Sequence, residues 1–312
     1  MSEVYYYNGQ FVESVDRQVA LEDRGHQFGD GIYEVVRVYG GRPFLLEWHL
    51  ERFERSCAAI GLSNPLSREQ WVEIIHDAIR RSNEAEAQVY WQVTRGAAPR
   101  THWFPATNPS VTLIVRPYRG TAPMEEPALF AVPDERWANV YVKTINLLPN
   151  VLAKEAAHRI GAAEALLVRN GTITEGSGSN AWFVAGGQLY THPANRHILP
   201  GITRRFIVQL AASLSIPVQE RPVSLTDLTD VDEVFMTGTT TEIMPVQKII
   251  TSEGLRSELV SPADEPRPSL IYACEQPVLL WSRQRPSVVT KRLQEAFAEA
   301  VHQCRLGCME IF

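Results

Sequence analysis

Glu164-Ala-Leu-Leu-Val-Arg-Asn-Gly-Thr-Ile-Thr-Glu-Gly-Ser-Gly-Ser-Asn-Ala-Trp-Phe-Val-Ala-Gly-Gly-Gln-Leu-Tyr190 decides the fold class. Residues 164–168 form a run of strand length, apolar from Ala165 onward, and Asn170-Gly171 closes it. An Asn-Gly pair tolerates the positive φ values of a tight hairpin turn. Two further strands follow at 181–184 and 188–190. Outward from this stretch, strands are expected at 129–132, 140–145, 218–222 and 233–237, and helices at 151–162 and 202–214. The first third mixes the two classes: a hairpin at 4–12 around Asn8-Gly9, strands at 31–39, 87–94 and 110–115, and helical spacing at 48–60 and 68–81. No regular strand-helix-strand count runs along the chain, so a doubly wound sheet is disfavoured. An α+β protein that is β-rich beyond its first third is expected.

Composition narrows the function classes. The 312 residues carry 30 basic and 36 acidic side chains, a net charge of −6. That balance gives no electrostatic reason to hold nucleic acid or an anionic membrane. No apolar run reaches transmembrane length. The first eight residues show neither a basic n-region nor an apolar h-region, so a cytoplasmic protein is expected. Cys57, Cys274, Cys304 and Cys308 cannot staple the fold, which suits a reducing compartment. Cys304 and Cys308 beside His302 make too small a ligand set, and no metal is expected. Neither a phosphate-loop nor a dinucleotide fingerprint occurs.

Lysine is scarce: only Lys143, Lys154, Lys248 and Lys291 occur. Chemistry that needs an amine nucleophile has few candidates. Lys143 lies in Val140-Tyr-Val-Lys-Thr-Ile-Asn146, read as a strand with Tyr141, Lys143 and Ile145 on one face. An inward lysine among apolar neighbours tends toward its neutral, nucleophilic form. An edge-strand lysine facing water fits the same spacing equally well. Lys154 shares a solvated helix face with Asn150 and His158. Glu175 stands before small residues that let a flat ligand approach, although an ordinary turn has the same composition. Leu199-Pro-Gly-Ile-Thr-Arg204 opens a helix with unpaired N–H groups, and Thr237-Gly-Thr-Thr-Thr241 follows a strand. Either can cradle a phosphate, or be a plain cap and a plain turn. Arg52 can add a cation.

These segments, in order, resemble the fold-type IV pyridoxal-phosphate enzymes, the group of D-amino-acid and branched-chain aminotransferases and aminodeoxychorismate lyase. The likeness runs over residues 4–246, with a weaker match at 286–300. It is carried by Asp23-Arg-Gly-His-Gln-Phe-Gly-Asp-Gly-Ile-Tyr-Glu34, His49-Leu-Glu-Arg52, Lys143 with Asn146-Leu-Leu148, Thr174-Glu-Gly176, Ser179-Asn180, Pro200-Gly-Ile-Thr-Arg204 and Thr237-Gly-Thr239. The resemblance implies a two-domain fold: a smaller N-terminal α/β domain (1–118), a linker (119–127) and a larger β-rich C-terminal domain (128–312). It implies pyridoxal 5'-phosphate held by Lys143 as a Schiff base, with Lys143 also shuttling the substrate proton. Glu175 is then the carboxylate beside the pyridine nitrogen, and Leu199 packs on the ring. Arg52, Ile202, Thr203, Gly238 and Thr239 match the phosphate cup.

Arg95-Gly-Ala-Ala-Pro-Arg-Thr-His-Trp-Phe-Pro105 is similar to the D-amino-acid aminotransferase subgroup. That implies a carboxylate trap of Arg100, His102 and Tyr33, a homodimer, and amino-acid and keto-acid substrates such as D-alanine and 2-oxoglutarate. Branched-chain L-aminotransferase, the lyase of the same fold and a non-catalytic relic are the alternatives. Residues 249–285 and the terminal tail depart from the family pattern.

Overall fold

Asn8 and Gly9 hold φ of 43° and 93°. That is the pair of positive values a two-residue turn between Val4–Tyr7 (β1) and Gln10–Val12 (β2) requires. The computed structural model describes residues 3–12, 19–120, 124–262, 266 and 269–308. Part of the expected linker (121–123), part of the atypical segment (263–265 and 267–268) and the last four residues of the tail lie outside them. The chain divides into two compact units: residues 1–120, 142–146 and 299–312 form one, and residues 121–141 and 147–298 the other.

In the first unit, β1 and β2 join Gly31–Tyr39 (β3), Arg42–Pro43 (β4), Ala87–Thr94 (β5) and Ser110–Pro117 (β6). Their order is β2-β1-β6-β5-β3-β4, with every pairing antiparallel. Short helix α1 (Arg24–Phe28) is capped by Asp23, whose side chain accepts from Gly25 N, and it stops at Gly29 with φ 67°. α2 (Leu46–Ala59) and α3 (Arg68–Ser82) follow, the latter opened by a Ser67/Gln70 capping box. Alternation along β3 sends Ile32, Glu34, Val36 and Val38 to one fully buried face. The three apolar members share a core with Leu50, Phe53, Trp71 and Ile75 from the helices. Phe53, Trp71 and Trp91 meet there with ring centroids 5.2–6.0 Å apart. Burial of each such ring stabilises by roughly 2–3 kcal/mol.

The second unit holds Ala128–Pro133 (β7), Glu164–Arg169 (β8), Thr172–Gly176 (β9), Asn180–Ala185 (β10), Gln188–Thr191 (β11), Val218–Glu220 (β12), Val223–Ser224 (β13), Glu233–Gly238 (β14), Glu242–Val246 (β15), Lys248–Ser252 (β16) and Pro277–Ser282 (β17). They form one sheet of order β12-β11-β10-β14-β15 and another of order β13-β9-β8-β7-β16-β17. Leu129, Leu166 and Ile173 of the second sheet share a core with Phe183, Val234 and Met236 of the first. β7 is parallel to both neighbours and buried at all six residues. Buried parallel strands of this kind need cover on both faces. Helix α4 (Leu148–Arg159) supplies one cover through Ala153, Ala156 and Ala157.

α5 (Ile202–Ser213) and α6 (Val288–Leu306) complete the set. The Glu233 carboxylate caps α6, accepting from Val289 N (2.9 Å) and Thr290 N (2.8 Å). Among the described residues no helix is long and apolar enough to cross a membrane. The architecture is mixed α+β, as expected.

Two expectations need correction. Residues 140–145 are not a strand: the segment is turn and bend, with a single bridge between Thr144 and Ile32. Tyr141 is exposed while Val142 and Thr144 are buried, so Tyr141, Lys143 and Ile145 do not share an inward face. The apolar alternation serves a bridging loop laid across β3. In addition, β16 starts at Lys248, and the atypical residues 249–285 contribute β17 to the second unit's larger sheet.

Candidate functional site

Lys143 is positioned by the start of β3. Tyr33 N donates to Lys143 O (3.1 Å) and Ile145 N to Gly31 O (3.0 Å). Lys143 N donates to Ser56 Oγ (3.3 Å). Gly31 permits this close crossing, since a Cβ there would stand 2.7 Å from Val93 O and 3.0 Å from Ile145 Cδ1. The Lys143 ammonium lies 4.1 Å from the centroid of the Tyr33 ring. The side chain is half-buried.

Arg52 is buried and engaged. Its Nε donates to Glu34 Oε1 (2.7 Å) and its Nη2 to Glu34 Oε2 (2.8 Å), while His49 Nδ1 is 2.8 Å from Oε2. His49 and Arg52 share one face of α2 at i, i+3 spacing and meet the fully buried Glu34 of β3. Burial pushes the Glu34 carboxyl up, but the Arg52 guanidinium and the His49 contact hold it at about 2. Burial lowers His49 below its ordinary value, and the Glu34 contact acts against that fall. Arg100 and His102 sit on an exposed loop of the same unit.

The second unit gathers the other candidates. Glu175 is on β9, buried, and its carboxylate is fixed from three sides. Leu199 N donates to both oxygens at 3.1 Å, and Asn180 Nδ2 donates to Oε2 at 2.8 Å. Arg136 Nη1 donates to Oε1. Arg136 also grips Asp134 with Nε (2.8 Å) and Nη2 (2.9 Å), and Arg169 reaches the same Asp134 carboxylate at 3.2 Å. Arg136 is thus shared between Asp134 and Glu175, and Arg169 adds a second cation at Asp134. Burial pushes the Glu175 carboxyl up to about 7, with Arg136 and Leu199 N acting against the rise. Burial opposes the Asp134 charge too, yet Arg136 holds that carboxyl below its usual range.

Asn180 Nδ2 also donates to Leu199 O (2.9 Å), and a Cβ at Gly201 would collide with Asn180 Oδ1. The nearest atom to a Cβ at Gly238 would be Gly178 O at 3.4 Å. Three stretches far apart in sequence thus meet in the second unit: 175–180, 199–203 and 237–239. α5 begins there without a side-chain cap, and its first intrahelical bond is Arg205 N to Gly201 O. The N–H groups of Ile202 and Thr203 precede that bond. A buried carboxylate raised by burial, a helix N-terminus and threonine hydroxyls suit a ligand with a cationic ring nitrogen at one end and a phosphate at the other. The residues fit pyridoxal 5'-phosphate.

The family model for amino-transferase class IV matches residues 31–249. The chain belongs to the class IV aminotransferase family. Within that family it is 41% identical over 248 residues to D-alanine aminotransferase of Staphylococcus epidermidis, covering 78% of this chain and 88% of that one. It is 41% identical over 255 residues to D-alanine aminotransferase of Listeria monocytogenes, covering 78% and 86%. Among class IV structures, branched-chain amino acid aminotransferase from Escherichia coli superposes with TM-score 0.80 at 26% identity, covering 99% of this chain and 96% of that one. The T.th. branched-chain amino acid aminotransferase with pyridoxamine 5'-phosphate gives 0.78 at 26%, covering 98% and 96%.

Asp134 and Arg136 have no signal in the sequence, and Glu34 and His49 stand in the quoted motifs without a role assigned to them. The His49–Arg52 spacing was a legible signal. Nothing local ties Asp134 and Arg136 to Glu175, 39 residues on from Arg136.

Proposed function

We propose that this pyridoxal-phosphate-dependent aminotransferase is a D-amino-acid aminotransferase. It moves the amino group of D-alanine, or a similar D-amino acid, to 2-oxoglutarate, giving pyruvate and D-glutamate. The observation that carries this reading is the 41% identity to D-alanine aminotransferases, against 26% to branched-chain enzymes of the same fold. Arg100-Thr-His102 supports it, as does Tyr33 beside the Lys143 ammonium.

When bound, pyridoxal 5'-phosphate supplies an aldehyde for the substrate amine and a ring that accepts the electrons of the broken Cα–H bond. Lys143 is the catalytic residue: its Nζ takes the proton from the substrate α-carbon and returns one during the second half-reaction. The Tyr33 ring face beside Nζ limits its wandering. Glu175 would keep the ring nitrogen protonated, since burial makes this carboxylate a strong proton acceptor. Arg136, Asn180 and Leu199 N prevent that carboxylate from turning away. The N–H groups of Ile202 and Thr203, with Gly238, Thr239 and Arg52, would hold the phosphate, and Leu199 would pack on the ring. Arg100 offers a fork to the substrate carboxylate, and His102 and Tyr33 fill its remaining lone pairs.

The working protein is a cytoplasmic homodimer in this reading. Trp103 and Phe104 are 73% and 61% exposed in the single chain, which leaves the substrate loop free to meet a second copy. Steady-state assay with D-alanine tests the reaction class. Pyruvate should form only when 2-oxoglutarate or another keto acid is present; release of pyruvate from aminodeoxychorismate with no acceptor would instead make the protein a lyase.

A further inference from the structure

A cluster at the end of α1 has no part in that chemistry. Asp30 receives two guanidinium groups, Arg24 Nε at 2.8 Å and Arg95 Nε at 2.9 Å. All three side chains are largely buried. Arg95 also donates to the carbonyls of Ile60 (2.8 Å) and Gly61 (2.7 Å). Arg24 Nη1 donates to Thr101 O at 2.6 Å, and Thr101 is the residue between Arg100 and His102. The buried charge cluster therefore grips the substrate loop by its main chain, at its centre.

Phe28 closes the arrangement. Arg100 Cζ lies 4.7 Å from its ring centroid and Arg24 Cζ also 4.7 Å. The His102 ring meets it edge-on, with centroids 5.8 Å apart and planes at 83°. One aromatic ring thus touches both side chains of the carboxylate-binding pair. Two guanidinium groups at one ring would repel each other, but Arg24 is paired with Asp30, which weakens that repulsion and lets the ring attract Arg100. An exposed arginine loses considerable rotamer freedom when it grips a ligand. A ring that confines it beforehand lowers that cost.

We propose that Phe28 is a positioning residue for substrate recognition, its ring aiming Arg100 and His102 at the substrate carboxylate while Arg24 and Asp30 hold the loop. This rests on the reading that Arg100 and His102 bind that carboxylate.

The test uses the holoenzyme of the parent and of Phe28→Leu, Phe28→Met, Phe28→Tyr and Arg100→Met. D-lactate, which carries the carboxylate without the amine, is titrated by calorimetry, and D-alanine is followed by steady-state kinetics. Loss of the aromatic face, worth about 1 kcal/mol, should weaken D-lactate about fivefold and raise the D-alanine KM to match, with kcat within about twofold. Phe28→Tyr keeps the face and should stay within about twofold of the parent. Phe28→Met gives the same reading if Phe28→Leu does not fold. Arg100→Met should weaken D-lactate about tenfold or more. The proposal is overturned, with the carboxylate reading intact, if Arg100→Met weakens D-lactate while Phe28→Leu and Phe28→Met do not. It is overturned equally if the tyrosine variant loses as much as the leucine one, because Phe28 then only packs. If Arg100→Met leaves D-lactate binding unchanged, the carboxylate reading itself fails and takes the proposal with it.

Discussion

Replacing Glu34 with glutamine keeps the volume of a fully buried side chain and removes its charge. The parent carboxylate bonds Arg52 at 2.7 and 2.8 Å and His49 at 2.8 Å, with no exposed surface. Burial opposes its ionisation, yet these partners hold the carboxyl at about 2 against an ordinary 4.5. That fall corresponds to roughly 3 kcal/mol in favour of the folded, ionised form. Breaking a buried ion pair from one side costs a similar 3–5 kcal/mol, since Arg52 would be left as an uncompensated charge.

The sign follows from the direction. A carboxyl depressed in the folded state contributes fully above its unfolded value near 4.5, and the contribution is lost as pH falls through about 2. Urea unfolding of parent and E34Q should therefore differ by roughly 3 kcal/mol at pH 7, and the gap should shrink to about 1 kcal/mol at pH 3. A gap that does not change with pH, or no gap at pH 7, would refute the view that Glu34 is the counter-charge holding Arg52 in place.

Three further outcomes are expected. Lys143→Ala should abolish transamination, and borohydride reduction followed by mass spectrometry should find no cofactor mass at position 143; surviving turnover would remove Lys143 from its role. Arg136→Met should cost roughly 3–5 kcal/mol of stability by stranding the Asp134 and Glu175 carboxylates. It should also raise the Glu175 carboxyl above about 7, moving the acid limb of kcat/KM to higher pH, and an unmoved limb would show that Arg136 does not act on Glu175. Sedimentation should give twice the 35.1 kDa chain mass, and a monomer at assay concentration would contradict the dimer.

Local chemistry made much of the fold legible. β3 runs from Gly31 to Tyr39 as read, because a β-branched stretch ends at Gly40 and Gly41, whose φ values of 58° and 76° stop a strand. The turns at Asn8-Gly9 and Asn170-Gly171 follow the same logic. α4 starts at Leu148, three residues earlier than read, since Pro149 suits the first turn of a helix. The segment carrying Lys143 failed for a different reason. Its alternation is set by what lies under a loop crossing β3, and tertiary contact overrides local pattern there.

The candidate site was legible where close approach excludes a side chain, as at Gly201 beside Asn180, and illegible where charge meets charge over distance. Glu34 with Arg52, Arg136 with Glu175, and Asp30 with Arg95 are partners only because the fold brings them together. No spacing rule connects such pairs.

The most direct measurement is a half-reaction: the holoenzyme, with no keto acid added, titrated separately with D-alanine and L-alanine while the absorbance of its cofactor is followed. D-alanine should convert the aldehyde form to the amine form and release one pyruvate per site, and L-alanine should leave the spectrum unchanged. Conversion by L-alanine alone, or by neither, would contradict the assignment.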